Sequence, residues 1–276
     1  MTAKTVNNSP RKVRFRFALL LAFLASLLAF NAGTPSAYAA EKVPSLPAIQ
    51  VPQSARFDFL ATVKVDFLED YAFAQGSLQQ PDRIQAWAGT NHTDVRTGVV
   101  VVGNRSYINE GDGWQSSGAV IPMLHPAALT DHIMHLSGDN DAFLAFQEEL
   151  GFQMNQVGGL PSEMPDLLEG IYRIGSSTIR GNATTQYQVR ISNAKLIEFI
   201  EEFGVPVDYE TRALLENLEI KYDTWIDANG MVHQENIYIG FKETEIYGVV
   251  IPDMSLNLLI TYYDHNNSNI NIVAPV

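Results

Sequence analysis

Four residues in the middle of the chain have the chemistry of metal ligands: His125, Asp131, His132 and His135. His132 and His135 are three apart and would share one helix face, and imidazole is a common ligand. Met134 stands between them, however, and there is no His-Glu-x-x-His motif and no cysteine. Surface or helix-end histidines are the simpler reading. Asp139-Asn140-Asp141 and Asp227-Ala228-Asn229-Gly230 resemble pieces of a calcium loop. Such a loop needs a bidentate Glu at its twelfth position, and the residues found there are Leu150 and Tyr238. A helix cap and a hairpin turn explain both runs. For nucleophilic catalysis there is no Gly-x-Ser-x-Gly elbow. The acidic pairs Glu110/Asp112, Glu148/Glu149 and Glu201/Glu202 fall on predicted turns or polar helix faces. No glycine-rich loop is arranged to cradle phosphate. The expectation is therefore a protein that is not an enzyme, with no catalytic residue, no metal and no cofactor.

Composition narrows the partners. The 276 residues include 18 basic and 31 acidic groups, a net charge of −13, and no cysteine. A chain this acidic is a poor match for nucleic acid, whose phosphates need clustered Lys and Arg. It is equally poor at resting on anionic bilayers. Without cysteine there is no disulfide framework and no thiolate site. At 46% hydrophobic and 18% charged the chain has the composition of a folded protein.

The charge is unevenly spread. Lys4, Arg11, Lys12, Arg14 and Arg16 precede an apolar run from Phe17 to Phe30, and Glu41 is the first acidic residue. Gly33, Pro35 and Ser36 break the run, and Ala37-Tyr38-Ala39 places small residues where a signal peptidase reads. Residues 1–39 are expected to be a secretory signal peptide cut before Ala40. The run makes about 21 Å of helix, short of the ~30 Å hydrocarbon core, so no stable membrane span is expected after its removal. The mature chain is expected to be extracytoplasmic: periplasmic, in the cell-wall space, or secreted. Residues 40–53 carry Pro44, Pro47 and Pro52 and read as a flexible leader; 54–276 reads as one domain.

The elements of that domain follow from period. Phe57, Phe59, Ala61, Val63 and Val65 alternate with Asp58, Thr62, Lys64 and Asp66, the pattern of a long strand with one dry face. Strand-like runs follow at 71–78, 83–88, 93–102 and 106–109, separated by tight-turn residues, which predicts an antiparallel meander. Residues 126–174 carry helical spacing instead, in patches that include Phe143, Phe146, Leu150, Leu168 and Ile171. Alternation returns at Tyr187, Val189 and Ile191, gives way to helices over 196–203 and 209–217, and resumes at 219–226 and 232–241. Asp227-Ala228-Asn229-Gly230 joins that last pair as a hairpin. Further strands are expected at 245–250 and 256–263. The layout is α+β: one large antiparallel sheet with helices on one side. Period alone leaves two readings of the dry face, a packed core or the wall of a cavity for an apolar guest.

Taken in order, several segments resemble the LolA-like bacterial lipoprotein-carrier superfamily, closest to its LppX/LprG-type branch. They are Phe57-Asp58-Phe59; Gly76-Ser77-Leu78-Gln79-Gln80-Pro81-Asp82-Arg83; the strand–turn–strand from Val99 to Asn109, closing with Gly113-Trp114; Ile179-Arg180-Gly181-Asn182; Trp225-Ile226-Asp227 with Gly230; and Tyr262-Tyr263-Asp264-His265-Asn266-Asn267. No single motif is specific; the ordered series carries the resemblance across 54–276. It implies a strongly curved antiparallel sheet, an open half-barrel, with helices covering the concave face. It also implies a task, the sequestration of a lipid or other hydrophobic ligand in the hollow. On that reading the ligand-binding wall comes from Phe57, Phe59, Val63, Val65, Val189, Ile191, Leu258 and Ile260, and the lid from Phe143, Phe146 and Leu150. Members of this branch carry a lipobox cysteine, whereas this chain has Ala39-Ala40 at the cleavage site, so a released protein with no lipobox anchor is expected. The alternative is an extracytoplasmic sensor or assembly module that binds an envelope protein partner through the same fold.

Overall fold

The computed structural model describes residues 40–91, 93–116, 126, 167–202, 207–246 and 249–275. The expected signal peptide, the His125–His135 group and the stretch holding Phe143, Phe146 and Leu150 lie outside these residues. The described strands are β1 (Glu41–Val43), β2 (Ser54–Val65), β3 (Leu68–Gln79), β4 (Arg83–Thr90), β5 (Thr93–Val102), β6 (Arg105–Asn109), β7 (Gln115–Ser116), β8 (Leu168–Ile179), β9 (Asn182–Ile191), β10 (Leu218–Ile226), β11 (Val232–Phe241), β12 (Thr244–Ile246), β13 (Val249–Ile251) and β14 (Met254–Tyr263). Two helices, α1 (Asn193–Glu202) and α2 (Tyr209–Glu216), link β9 to β10.

Twelve strands form one antiparallel sheet in the order β1-β8-β9-β10-β11-β14-β2-β3-β4-β5-β6-β7. The sheet is open, with β1 and β7 at its two edges, and β12–β13 is a separate hairpin. The order describes two meanders, β2 to β7 and β8 to β11, sewn together by β14. The last long strand therefore pairs with the first, from Met254 opposite Val65 to Tyr263 opposite Arg56. No helix among the described residues is long and apolar enough to cross a membrane.

One expectation fails. Leu168, Ile171 and Tyr172 do not belong to a helix; they open β8, which pairs with β9 over its whole length. A short apolar run does not distinguish helix from buried strand. Here β9 offers a free ladder of backbone groups, and Ile171, Ile174, Thr178 and Ile179 are β-branched residues suited to it. The strand expected over 245–250 is instead divided between β12 and β13, with residues 247–248 outside the described set. Within the leader, Lys42 pairs with Tyr172, and Gln50 donates its amide to the Gly230 carbonyl at 2.8 Å.

The helices end and begin where local chemistry dictates. The Asp208 carboxylate accepts from the Thr211 amide at 2.9 Å and from its hydroxyl at 2.7 Å, capping α2. Leu196, Ile197 and Ile200 of α1 and Leu214 and Leu215 of α2 join the same buried cluster as the strand residues. The tip of the β8–β9 hairpin reaches far across the sheet. Arg180 pairs with Asp58 of β2 and stacks on Tyr263 of β14, its guanidinium carbon 3.9 Å from the ring centre. Three strands stand between β9 and β2, a separation of roughly 19 Å in a flat sheet. Curvature of the sheet, bending of the hairpin, or both bring Arg180 to Asp58 across that distance.

Candidate functional site

The register places the predicted wall residues on one face. Val63 pairs with Leu256, Ala61 with Leu258, and Phe59 with Ile260. The rows continue through β11, where Ile239 and Ile237 face Leu256 and Leu258, and into β10, where Ile220 and Tyr222 follow. Val189 meets Tyr222 on β9. Phe57, Phe59, Val63, Val65, Ile191, Leu258 and Ile260 belong to one buried cluster. Val189 is buried as well but lies outside it. All eight are at most 7% exposed, so each is covered in the folded chain. The lid residues Phe143, Phe146 and Leu150 lie outside the described residues.

The most unusual part of this face contains residues that the sequence reading passed over. Ala61 pairs with Ala72, Phe59 with Ala74, and Ala74 in turn with Ala88; Gly76 pairs with Phe57 and Ala86. The middle of a buried sheet is thus floored by the smallest side chains, with Ala61, Ala72, Ala74, Ala86 and Ala88 at most 1% exposed. The Phe57 ring fills the space that a side chain at Gly76 would need, its Cζ 2.7 Å from an ideal Cβ there. Buried strands ordinarily carry Val, Ile or aromatic groups. Alanines here set the floor back, so that what covers it in the folded chain stands closer to the backbone than it could over Val or Ile, because interiors are filled to near-crystalline density. The signal in the sequence was the alternation Tyr71-Ala72-Phe73-Ala74 and Ala86-Trp87-Ala88. Hydrophobicity alone would turn the rings inward, and the register turns the alanines inward instead.

Toward the far end of β11 the face becomes polar. Glu235 lies opposite Thr224 of β10 and Ile260 of β14. The Tyr262 hydroxyl donates to Glu235 Oε2 at 2.8 Å, with both side chains buried. A buried carboxylate needs such donors to offset its lost hydration. Burial first, and then the Glu235 charge, raise the Tyr262 and Tyr222 phenols well above their ordinary range, so both stay protonated. The face is therefore graded, from Val65, Met254 and Phe241 at one end to Tyr262, Glu235 and Thr224 at the other.

Beyond this end sits a small titratable cluster. The Asp227 carboxylate accepts from the Asn229 and Met231 amides at 2.8 and 3.0 Å, and its other oxygen lies 3.1 Å from His233 Nε2. Gly230 completes the turn with φ of +84°. Burial works to raise the Asp227 carboxyl, but the His233 contact and the two amides outweigh it and hold it below its ordinary value. The His233 and His265 rings meet edge to face with centroids 4.8 Å apart, and His265 Nε2 lies 2.9 Å from the Val232 carbonyl. Burial, followed by the neighbouring His233, lowers His265 below 6.5.

A pH dependence follows. The folded-state value of His265 lies below the unfolded one, so its contribution is complete above about 6.5 and is lost as the pH falls below that value. Thermal midpoints are expected to drop through this window, and His265→Gln should flatten the drop. Parallel curves for the two proteins would show that His265 is not the responsible group. Among the described residues no group of three or more His, Asp or Glu is placed to hold a metal ion.

No protein-family model matches the chain, and neither does any curated protein sequence. Solved structures do show likeness. LppX from Mycobacterium tuberculosis is 13% identical with a TM-score of 0.41, covering 80% of this chain and 90% of its own. LprF from Mycobacterium bovis is 15% identical with a TM-score of 0.35, covering 98% of this chain and 100% of its own. A LolA superfamily protein from Nitrosomonas europaea is 8% identical with a TM-score of 0.28, covering 81% and 90%.

Proposed function

We propose that the chain is an extracytoplasmic binding protein that sequesters a lipid or another hydrophobic ligand, with a role in lipid carriage. The ligand lies against the apolar sheet face, in a half-barrel hollow covered by helices. The observation that supports this reading is the recessed floor of Ala61, Ala72, Ala74 and Ala88 in the middle of a continuous apolar face. An acyl chain laid there is withdrawn from water at about 0.8 kcal/mol per CH₂. The grading of the face suits an amphiphile, with its apolar part over the alanines and its polar part toward Tyr262 and Glu235. Holding such a ligand requires apolar area and a few polar contacts, and no covalent chemistry.

Mass spectrometry of the mature protein from its native host tests the proposal, under native conditions and again after organic extraction. A stoichiometric adduct of lipid mass is expected, lost on extraction and regained from a lipid mixture. A clean apo mass with no uptake would overturn it and leave the interaction module as the reading.

A further inference from the structure

Residues 44–53 of the leader carry no ionisable side chain, yet they are seated on two turns that histidines join. The Gln50 amide donates to the Gly230 carbonyl at 2.8 Å, and Gln50 pairs with Met231 in a parallel bridge. Gly230 permits the close approach: an ideal Cβ there would stand 2.4 Å from the Ala48 carbonyl oxygen. Further along, the Gln53 amide donates to Asn266 Oδ1 at 2.8 Å, and the Asn266 amide donates to the Ser54 carbonyl at 2.7 Å. The first seat is the β10–β11 turn, and the second is the turn that follows β14. None of residues 40–53 is among the described members of either buried apolar cluster, so the stretch is not locked into the core. Segments of this kind open at far lower free energy than core strands.

The two turns meet at the His233 and His265 rings, which touch edge to face. The Val232 carbonyl can only accept, so His265 Nε2 carries a hydrogen and donates it. His233 Nε2 faces the Asp227 carboxylate in the same way, which leaves His233 Nδ1 buried without a hydrogen-bond partner. A proton added to this pair is poorly placed. On His233 it makes a buried N–H with no acceptor. On His265 it charges a half-buried ring that lies against its neighbour. Asp227 and Asp264 favour such a charge, but Asp227 is bonded to His233, and Asp264 lies 3.3 Å from Arg56 of β2. Glu235, next on this face of β11, accepts from the Tyr262 hydroxyl. Burial and then the His233 ring outweigh the Val232 carbonyl and both aspartates, and hold His265 below its ordinary value.

We propose that residues 44–53 form a strap that acid releases, because protonation of the His233–His265 pair parts the two turns on which the strap is seated. In the released state both rings reach water and both take up a proton. That state binds more protons than the seated one, so falling pH shifts the balance toward it. The window opens below about 6.5, where a free imidazole charges, and closes above the range in which the Asp227 carboxylate is itself neutralised. β1 stands outside the device. Lys42 Nζ donates to the Glu169 carbonyl at 2.9 Å and Glu41 lies 3.9 Å from Arg173, with no histidine involved. The released strap is therefore a loop tethered by β1 at one end and β2 at the other. Its seats adjoin the polar end of the graded face, Met231 ahead of Glu235 on β11 and Asn266 beyond Tyr262 of β14. The strap gives that end of the sheet a closed and an open state.

The chain has no cysteine, so one nitroxide label can be attached at a chosen position. Val51→Cys puts it on the strap, at a residue that is 66% exposed. Thr178→Cys puts it on an exposed position of β8 as the reference. The electron spin resonance line of the Val51 label should be broad near neutral pH and gain a narrow component as the solution is acidified through the histidine range. The ratio of released to seated strap should rise about tenfold or more, with the Thr178 line unchanged. The midpoint should coincide with the titration of the two imidazole rings followed by nuclear magnetic resonance. Gly230→Ala should give the narrow line without acid, because the added Cβ meets the Ala48 carbonyl and φ of +84° strains it. His233→Gln combined with His265→Gln should keep the line broad throughout, since glutamine offers an N–H to Asp227 and Val232 but takes up no proton. Four results overturn the inference: a Val51 line that stays broad in acid, narrowing that survives the double replacement, a midpoint apart from the ring titration, or Thr178 narrowing in step with Val51.

Discussion

Ala74→Phe is expected to remove most of the bound lipid while leaving the chain folded. Ala74 sits in the centre of the floor, between Phe59 on β2 and Ala88 on β4, and is 1% exposed. A ring there would stand where the proposed ligand lies. Overpacking of this kind costs about 1–3 kcal/mol, which a domain of ordinary stability survives. The measurement pairs extracted lipid per mole of protein with a urea midpoint. Ile200→Ala serves as the control, because Ile200 is buried on α1 and forms no part of the floor. That substitution should lower stability by about 2–5 kcal/mol and leave the load nearly intact. If load tracks stability in the same proportion for both variants, the floor is ordinary core and the proposed cavity fails.

The largest loss of stability is expected at Phe57. Its side chain is fully buried and covers the gap above Gly76. Phe57→Ala should cost about 3–5 kcal/mol in urea unfolding, the sum of lost burial and the cavity left behind. Gly76→Ala attacks the same contact from the other side. The added Cβ would meet the Phe57 ring at 2.7 Å and also the backbone oxygen of Gln85 across the β3–β4 ladder. Backbone cannot swing away as a side-chain tip can, so this variant should be strongly destabilised too. Combining the two should be less than additive, because removing the ring relieves one of the clashes and leaves those with the Gln85 oxygen and the Ala86 Cα. Full additivity, or a Phe57→Ala cost below about 1 kcal/mol, would show that ring and glycine do not act as a unit.

Much of this architecture was legible in the residues. The strict alternation from Phe57 to Val65 gave β2 and its dry face, and the same argument gave Leu256 to Tyr262 on β14. Asp227-Ala228-Asn229-Gly230 gave the β10–β11 hairpin, because Asp side chains bond backbone amides nearby and Gly accepts a positive φ. These features depend on neighbours within a few positions along the chain. β8 was misread for the converse reason: Leu168 to Tyr172 is too short for its period to decide, and the ladder offered by β9 decided it.

The sequence by itself determined the acidic balance, the absence of cysteine, and the identity of most strands and both described helices, because composition and period are local properties. Only the tertiary structure decided that the last long strand closes on the first. It also decided that Ala72 and Ala74 face inward while Tyr71, Phe73 and Trp87 face outward, and that Tyr262 meets a buried Glu235. A strand has two faces and no local term that selects between them. The choice is made by register across neighbours that lie up to two hundred residues away. It falls where the Phe57 ring finds Gly76 and the Phe73 and Trp87 rings find Gly89 and Gly98, because a glycine leaves room for a ring where a Cβ would crowd it.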